Sequence, residues 1–128
     1  MPHDAQVLRR LRRIGLDLPE ARERVQFGHP VWQAGWRTFC ALERCGERLR
    51  IAFKLDLDTQ ALLVRHPRFE PAPYGARHGW VLLDAESALD WSEVEHWIAT
   101  SDRDVALVRM RRALDDREAA RPSRRRAR

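Results

Sequence analysis

The stretch Val31–Asp56, VWQAGWRTFCALERCGERLRIAFKLD, decides the fold. β-Branched and aromatic residues recur in it with two-residue alternation, and Gly35 and Gly46 break the pattern where turns belong. The reading is three strands, roughly 30–34, 37–43 and 48–55, joined as an antiparallel meander.

On the N-terminal side, DAQVLRRLRRI (residues 4–14) spaces Val7, Leu8, Leu11 and Ile14 as one face of a helix, leaving Arg9, Arg10, Arg12 and Arg13 on a basic outer face. Asp4 suits an N-cap and Gly15 a stop. Pro19 in LDLPEARERV predicts the start of a short second helix. On the C-terminal side, Asp58 opens a helix through Val64 that Pro67 closes, and GWVLLDA (79–85) reads as a fourth strand. Trp91, Val94, Trp97 and Ile98, then Val105, Leu107, Val108 and Leu114, return to helical spacing, with TSDRD (100–104) as a junction at which Ser101 or Asp102 caps the second helix. Helices, a run of strands with one helical excursion, then helices again predict an α+β fold. Its antiparallel sheet has about four or more strands, with the helices packed on one face.

Length predicts one domain, residues 1–116, followed by a disordered arginine-rich tail, 117–128, with no apolar side chain larger than alanine. That tail holds six arginines against one glutamate, whereas residues 1–116 balance at 18 basic and 18 acidic side chains. The excess charge therefore argues little for a DNA-binding fold. All of the 24 basic residues but Lys54 are arginine, a coding bias expected of a GC-rich bacterial genome, which makes Lys54 the more informative cation.

The chain has neither an apolar run long enough to cross a bilayer nor a leader-like segment, so a cytoplasmic protein with no membrane partner is expected. Two cysteines, Cys40 and Cys45, predict no disulfide framework; the first reads as core and the second as a half-exposed turn thiol. The five histidines lack metal-site spacing, and no acyl-transfer, nucleotide-hydrolysis or dinucleotide motif occurs, so neither metal nor cofactor is expected. The five tryptophans are assigned to the core by default.

Three places can carry chemistry. In QFGHPVW (26–32), His29 is either an acid–base group or a residue bonded to backbone at a helix–sheet junction, with Gly28 and Pro30 shaping the turn. Lys54, at a strand end, is either an anion contact or a solvated strand lysine. PAPYGARHGW (71–80) is stiffened by Pro71 and Pro73, which present Tyr74 at low entropic cost, while Gly75 and Gly79 bracket Arg77 and His78. Such a loop either contacts phosphate and stacks on a base or sugar, or tucks Tyr74 and Trp80 into the core edge.

FGHPVW, the strand ending in Lys54, PAPYGARHGWVLL and the closing tryptophan-bearing helices occur in the order and spacing of the MmcQ/YjbR-like family, which the chain resembles over about residues 5–114. The matching positions are Phe27, Gly28, His29, Pro30, Lys54, Pro71, Pro73, Tyr74, Gly79 and Trp80. The resemblance implies a compact α+β domain likened to frataxin-type and double-wing DNA-binding architectures, and a DNA-binding label that rests on fold analogy. Where the family usually has Ser-Tyr, this chain has Ser101 and Asp102, an acidic departure that would weaken a nucleic-acid surface there.

The resulting expectation is a non-enzymatic, monomeric DNA-binding protein contacting phosphate through His29, Lys54, Tyr74, Arg77 and His78. The alternative is a pocket for a small anionic ligand, or an enzyme site, built from the same surface.

Overall fold

The computed structural model describes residues 2–105 and 108–120. Six strands, β1 (Ala21–Gln26), β2 (His29–Ala34), β3 (Arg37–Cys45), β4 (Arg48–Lys54), β5 (Phe69–Pro71) and β6 (Trp80–Asp84), form one sheet in the order β1-β2-β3-β4-β6-β5. Every neighbouring pair is antiparallel. Helix α1 (Pro2–Leu16) precedes the sheet, α2 (Leu57–Leu63) interrupts it, and α3 (Trp91–Val105) and α4 (Val108–Ala120) follow it. This is the α+β arrangement read from the sequence, with two strands more than were individually expected. No helix among the described residues is long and apolar enough to cross a membrane.

Strand alternation sorts the sheet into two unlike faces. One carries Trp32, Cys40, Leu42, Leu49, Ile51, Phe53, Val81 and Leu83, packed against Val7 and Leu11 of α1 and Val94 and Ile98 of α3. Burial leaves the Cys40 thiol far above its ordinary range, as a core residue. The other face carries small side chains, Val31, Ala41, Ala52 and Ala72 with Leu82, and this cluster contains no helical residue.

Several expectations are corrected. The segment after Pro19 is the edge strand β1, not a second helix. It pairs with β2 through a two-residue turn in which Phe27 and Gly28 both have positive φ (51° and 81°), as a type I′ hairpin requires. His29 accordingly sits in a hairpin and not at a helix–sheet junction. Gly15 does not stop α1 but lies within it, where a Cβ would come 3.0 Å from the indole of buried Trp32. Asp4, inside the helix, pairs with Arg44 at 2.8 Å rather than capping. Helix α2 is capped by Asp56, whose carboxylate accepts the Thr59 amide at 2.8 Å. That bond holds the acid below its usual range.

The TSDRD junction also falls inside α3: Ser101 and Asp102 are both fully buried, so the acidic departure does not reach a surface. Trp36 is not core. It is 67 % exposed at the β2–β3 turn, with the Arg37 guanidinium 5.0 Å over its ring. Residues 117–120, expected in the tail, continue α4, and 121–128, like the Cys45 side chain, lie outside what is described.

Candidate functional site

The small-residue face of the sheet is concave where the loop between β5 and β6 folds over it. Val31, Ala41 and Ala52 form the floor of a groove of about 630 Å³, with Gln26, Phe27 and His29 on one side and Pro73, Tyr74 and Trp80 on the other. The floor is low because three adjacent strands each place their bulky residue on the helix side and a small one here: Trp32 against Val31, Leu42 against Ala41, Phe53 against Ala52.

Two aromatic rings stand almost free at the rim. Phe27 is 97 % exposed at the tip of the β1–β2 hairpin, and Tyr74 is 90 % exposed at the tip of the opposite loop. Exposed apolar surface gathered around a groove is a mark of binding sites. His29 and Glu43 complete the polar wall: imidazole Nε2 lies 3.1 Å from a carboxylate oxygen, across β2 and β3.

The loop holding Tyr74 is closed at its base, where the Ala72 amide donates to the Trp80 carbonyl at 3.2 Å. Inside it, the Gly75 carbonyl accepts both the His78 amide at 2.9 Å and the Trp80 amide at 3.2 Å, forming a single 3₁₀ turn, Ala76–His78. Gly75 is left-handed (φ 83°), and a Cβ there would sit 2.8 Å from the Trp80 ring, so the glycine is what lets the indole lie under the loop. Gln60 of α2 then fastens the loop from outside, its side-chain amide donating to the Ala76 carbonyl at 2.7 Å and the Trp80 carbonyl at 3.0 Å.

The structure thus gathers His29, Tyr74, Phe27, Pro73 and Trp80 around one groove, and separates the rest. Lys54 shares the groove's sheet face, directly opposite Trp80 in register, but does not line the cavity. Arg77 and His78 are exposed on the 3₁₀ turn beyond Tyr74. Gly28 forms the β1–β2 turn, Pro30 faces Val25 in that hairpin, Pro71 pairs with Val81, and Gly79 is buried against Leu55. Charge on the β4–β6–β5 part of this face is internally compensated: Arg50 pairs with Glu70 at 3.0 Å and Arg48 with Asp84 at 3.7 Å. Lys54, Arg77 and His78 have no such carboxylate partner among the described residues. No group of three His, Cys, Asp or Glu side chains comes together as metal ligands would among the described residues.

Sequence reasoning missed Glu43 and Gln60, whose roles come from long-range pairing. It also missed the floor, although the alternation of large and small residues along β2, β3 and β4 carried that signal.

The model of the YjbR family matches residues 16–101, which span β1 through most of α3 and include the whole groove. The chain belongs to the YjbR family. Among solved structures, this YjbR-family chain is similar to Deinococcus radiodurans protein DR2400, described as containing the domain DUF419. The TM-score is 0.66 at 19 % identity, over 82 % of this chain and 85 % of that one. At such identity the likeness concerns the fold. No curated protein matches this YjbR-family chain.

Proposed function

We propose that the chain is a non-enzymatic DNA-binding protein that takes an unstacked base of single-stranded DNA into the groove between Phe27 and Tyr74. The observation that carries this reading is the pair of nearly fully exposed aromatic rings that line one groove floored by small side chains. A base presents a flat face to such rings, and stacking contributes roughly 1–3 kcal/mol per base. Paired bases in a duplex keep their faces covered, so the geometry favours single strands. Uncompensated Lys54, Arg77 and His78 lie at the Tyr74 end, where the phosphate of a base held in the groove would need a cation. The His29–Glu43 pair offers a hydrogen-bonding edge to discriminate among bases.

A second reading, a small planar anion bound in the same groove, draws support from the ion pairs that neutralise the neighbouring Arg48 and Arg50 and so shorten any continuous phosphate track. Fluorescence polarisation separates the two, with labelled single-stranded and duplex oligonucleotides and a mononucleotide competitor at several salt concentrations. The proposal expects single strands to bind more tightly than duplex, with Tyr74→Ala and Phe27→Ala each weakening binding by about tenfold or more. Equal affinity for duplex and single strand, unaffected by either substitution, would overturn it. Full displacement by the mononucleotide at a similar concentration of sites would favour the small-ligand reading.

A further inference from the structure

A second cavity lies in the helical layer, away from the aromatic groove. It measures about 580 Å³ and runs along α1 beneath the segment joining β6 to α3, lined by His3, Gln6, Arg9, Arg10 and Arg13 on one side and by Ser87 and Trp91 on the other. Among the described residues three arginines line it and no carboxylate does.

Elsewhere among the described residues several arginines find acids, while Lys54 and Arg77, like the arginines of this cleft, do not. Arg12 is bound by Glu23 at 2.8 Å, Arg103 by Asp115 and Glu118 at 2.8 and 2.7 Å, and Arg50 by Glu70 at 3.0 Å. Arg9, Arg10 and Arg13 have no carboxylate partner among the described residues. Acids near these residues in sequence have other partners, Asp17, four residues past Arg13, lying 3.9 Å from Arg117. Asp4 and Glu86, beside His3 and Ser87, both turn outward to Arg44, at 2.8 and 3.3 Å. Asp90, beside Trp91, accepts the Ser92 amide at 3.0 Å at the start of α3.

The walls are also held in place. His3 Nε2 is 2.7 Å from the Ala85 carbonyl oxygen, which ties the start of α1 to the end of β6. The Arg10 guanidinium lies 4.8 Å over the Trp91 ring, which orients it along the cleft. Arg9 and Arg13, four residues apart on a helix, repel one another, a cost that a bound anion would cancel. Guanidinium forks match tetrahedral oxyanions in a bidentate manner, and a cleft of this size exceeds what one phosphate fills.

From this cleft we infer a binding site for an oligophosphate chain, supplied either by a free phosphorylated small molecule or by a nucleic-acid backbone. It uses Arg9, Arg10 and Arg13 as the anion contacts and Ser87 as a hydroxyl donor. The site is independent of the aromatic groove, so the two can fail separately.

The test is isothermal titration of the full chain with inorganic tripolyphosphate at low salt. It is repeated on Arg9→Gln/Arg13→Gln and on Arg65→Gln/Arg112→Gln, a control that removes the same charge from exposed positions outside the cleft. Saturable binding near one equivalent, weakened roughly tenfold or more by the first pair and retained by the second, is expected. Thermal melts check that both variants remain folded, and Arg10→Lys, which keeps the charge but loses the fork, should weaken binding by a smaller factor. Competition then identifies the source. Displacement by a short duplex or single strand points to a nucleic-acid backbone, and displacement only by nucleoside triphosphates points to a free phosphorylated compound. Absence of saturable binding, or equal weakening by the control pair, would overturn the inference, since diffuse attraction to a basic chain would then account for any heat.

Discussion

The Leu55 amide donates to the Gly79 carbonyl at 3.0 Å, and Gly79 lies so close to Leu55 that a Cβ would fall 1.7 Å from the Leu55 carbonyl oxygen. This contact joins the end of β4 to the end of the aromatic loop and fixes where Tyr74 emerges. Gly79 is also left-handed (φ 95°), so Gly79→Ala meets both backbone strain and a clash with main chain that cannot rotate away. The expected loss is about 3 kcal/mol in urea unfolding. A loss below about 1 kcal/mol would mean the loop relaxes independently of β4, and its fixed presentation of Tyr74 would have to be abandoned.

Gln60 gives a gentler handle on the same loop. Its side-chain amide is shared by the Ala76 and Trp80 carbonyls, so Gln60→Ala takes one donor from each, leaving them the Gly79 and Ala72 amides, while removing little packing. A cost of about 1–2 kcal/mol is expected. Amide exchange at His78 and Trp80 should accelerate, since both amides bond within the turn that Gln60 fastens. Gln60→Glu should behave like the alanine variant or worse, because a carboxylate cannot donate to a carbonyl. Unchanged exchange at both amides would refute the fastening role.

Gly15 poses a contest between two opposed effects. As an interior helical residue it costs roughly 1 kcal/mol relative to alanine, so Gly15→Ala would stabilise an isolated helix. Here the added methyl would sit 3.0 Å from the indole of fully buried Trp32, which would have to give by a few tenths of an ångström. Overpacking of that kind costs roughly 1–3 kcal/mol. The clash wins or cancels, and Gly15→Ala should be neutral to about 2 kcal/mol less stable by chemical denaturation. A clear gain in stability would show that Trp32 repacks freely.

The strands that could be read in advance were those in which local pattern and long-range pairing agree. β2, β3 and β4 alternate large and small residues and are separated by glycine turns, so one-dimensional periodicity already encodes their two faces. β1 was hidden because PEARERV is composed of helix formers after a proline. Its conformation is imposed by the Phe27–Gly28 turn and by pairing with β2, which override propensity. β5 has only three residues and ends at Pro71, too few for a period to appear. At the site, His29 and Tyr74 could be noticed from their residue types beside Gly and Pro, and Phe27 from the family resemblance. The groove's depth could not, since it depends on the register that lines up Val31, Ala41 and Ala52. Ser101 and Asp102 misled because a polar pair between apolar stretches looks like a cap; only tertiary packing decides that it points inward.

That inward-facing pair yields the final prediction. Asp102 is fully buried and neither of its carboxylate oxygens has a hydrogen-bond partner among the described residues, so loss of solvation pushes its acid up to about 6, partly opposed by Arg103. In the unfolded chain the same group titrates near 3.9. Between about pH 4 and pH 6 the folded protein holds a proton that the unfolded chain has released. Stability therefore falls as pH rises through that window and levels off above it. The shift corresponds to about 2–3 kcal/mol of destabilisation at pH 7. Asp102→Asn removes the ionisation at nearly constant volume. The variant is expected to be more stable than the parent at pH 7 by up to that amount, with the difference shrinking toward pH 4. Urea denaturation at pH 4, 5, 6 and 7 checks the sign directly. An asparagine variant less stable than the parent at pH 7 would mean that the ionised carboxylate contributes favourably to the core, and that desolvation is not what dominates at this position.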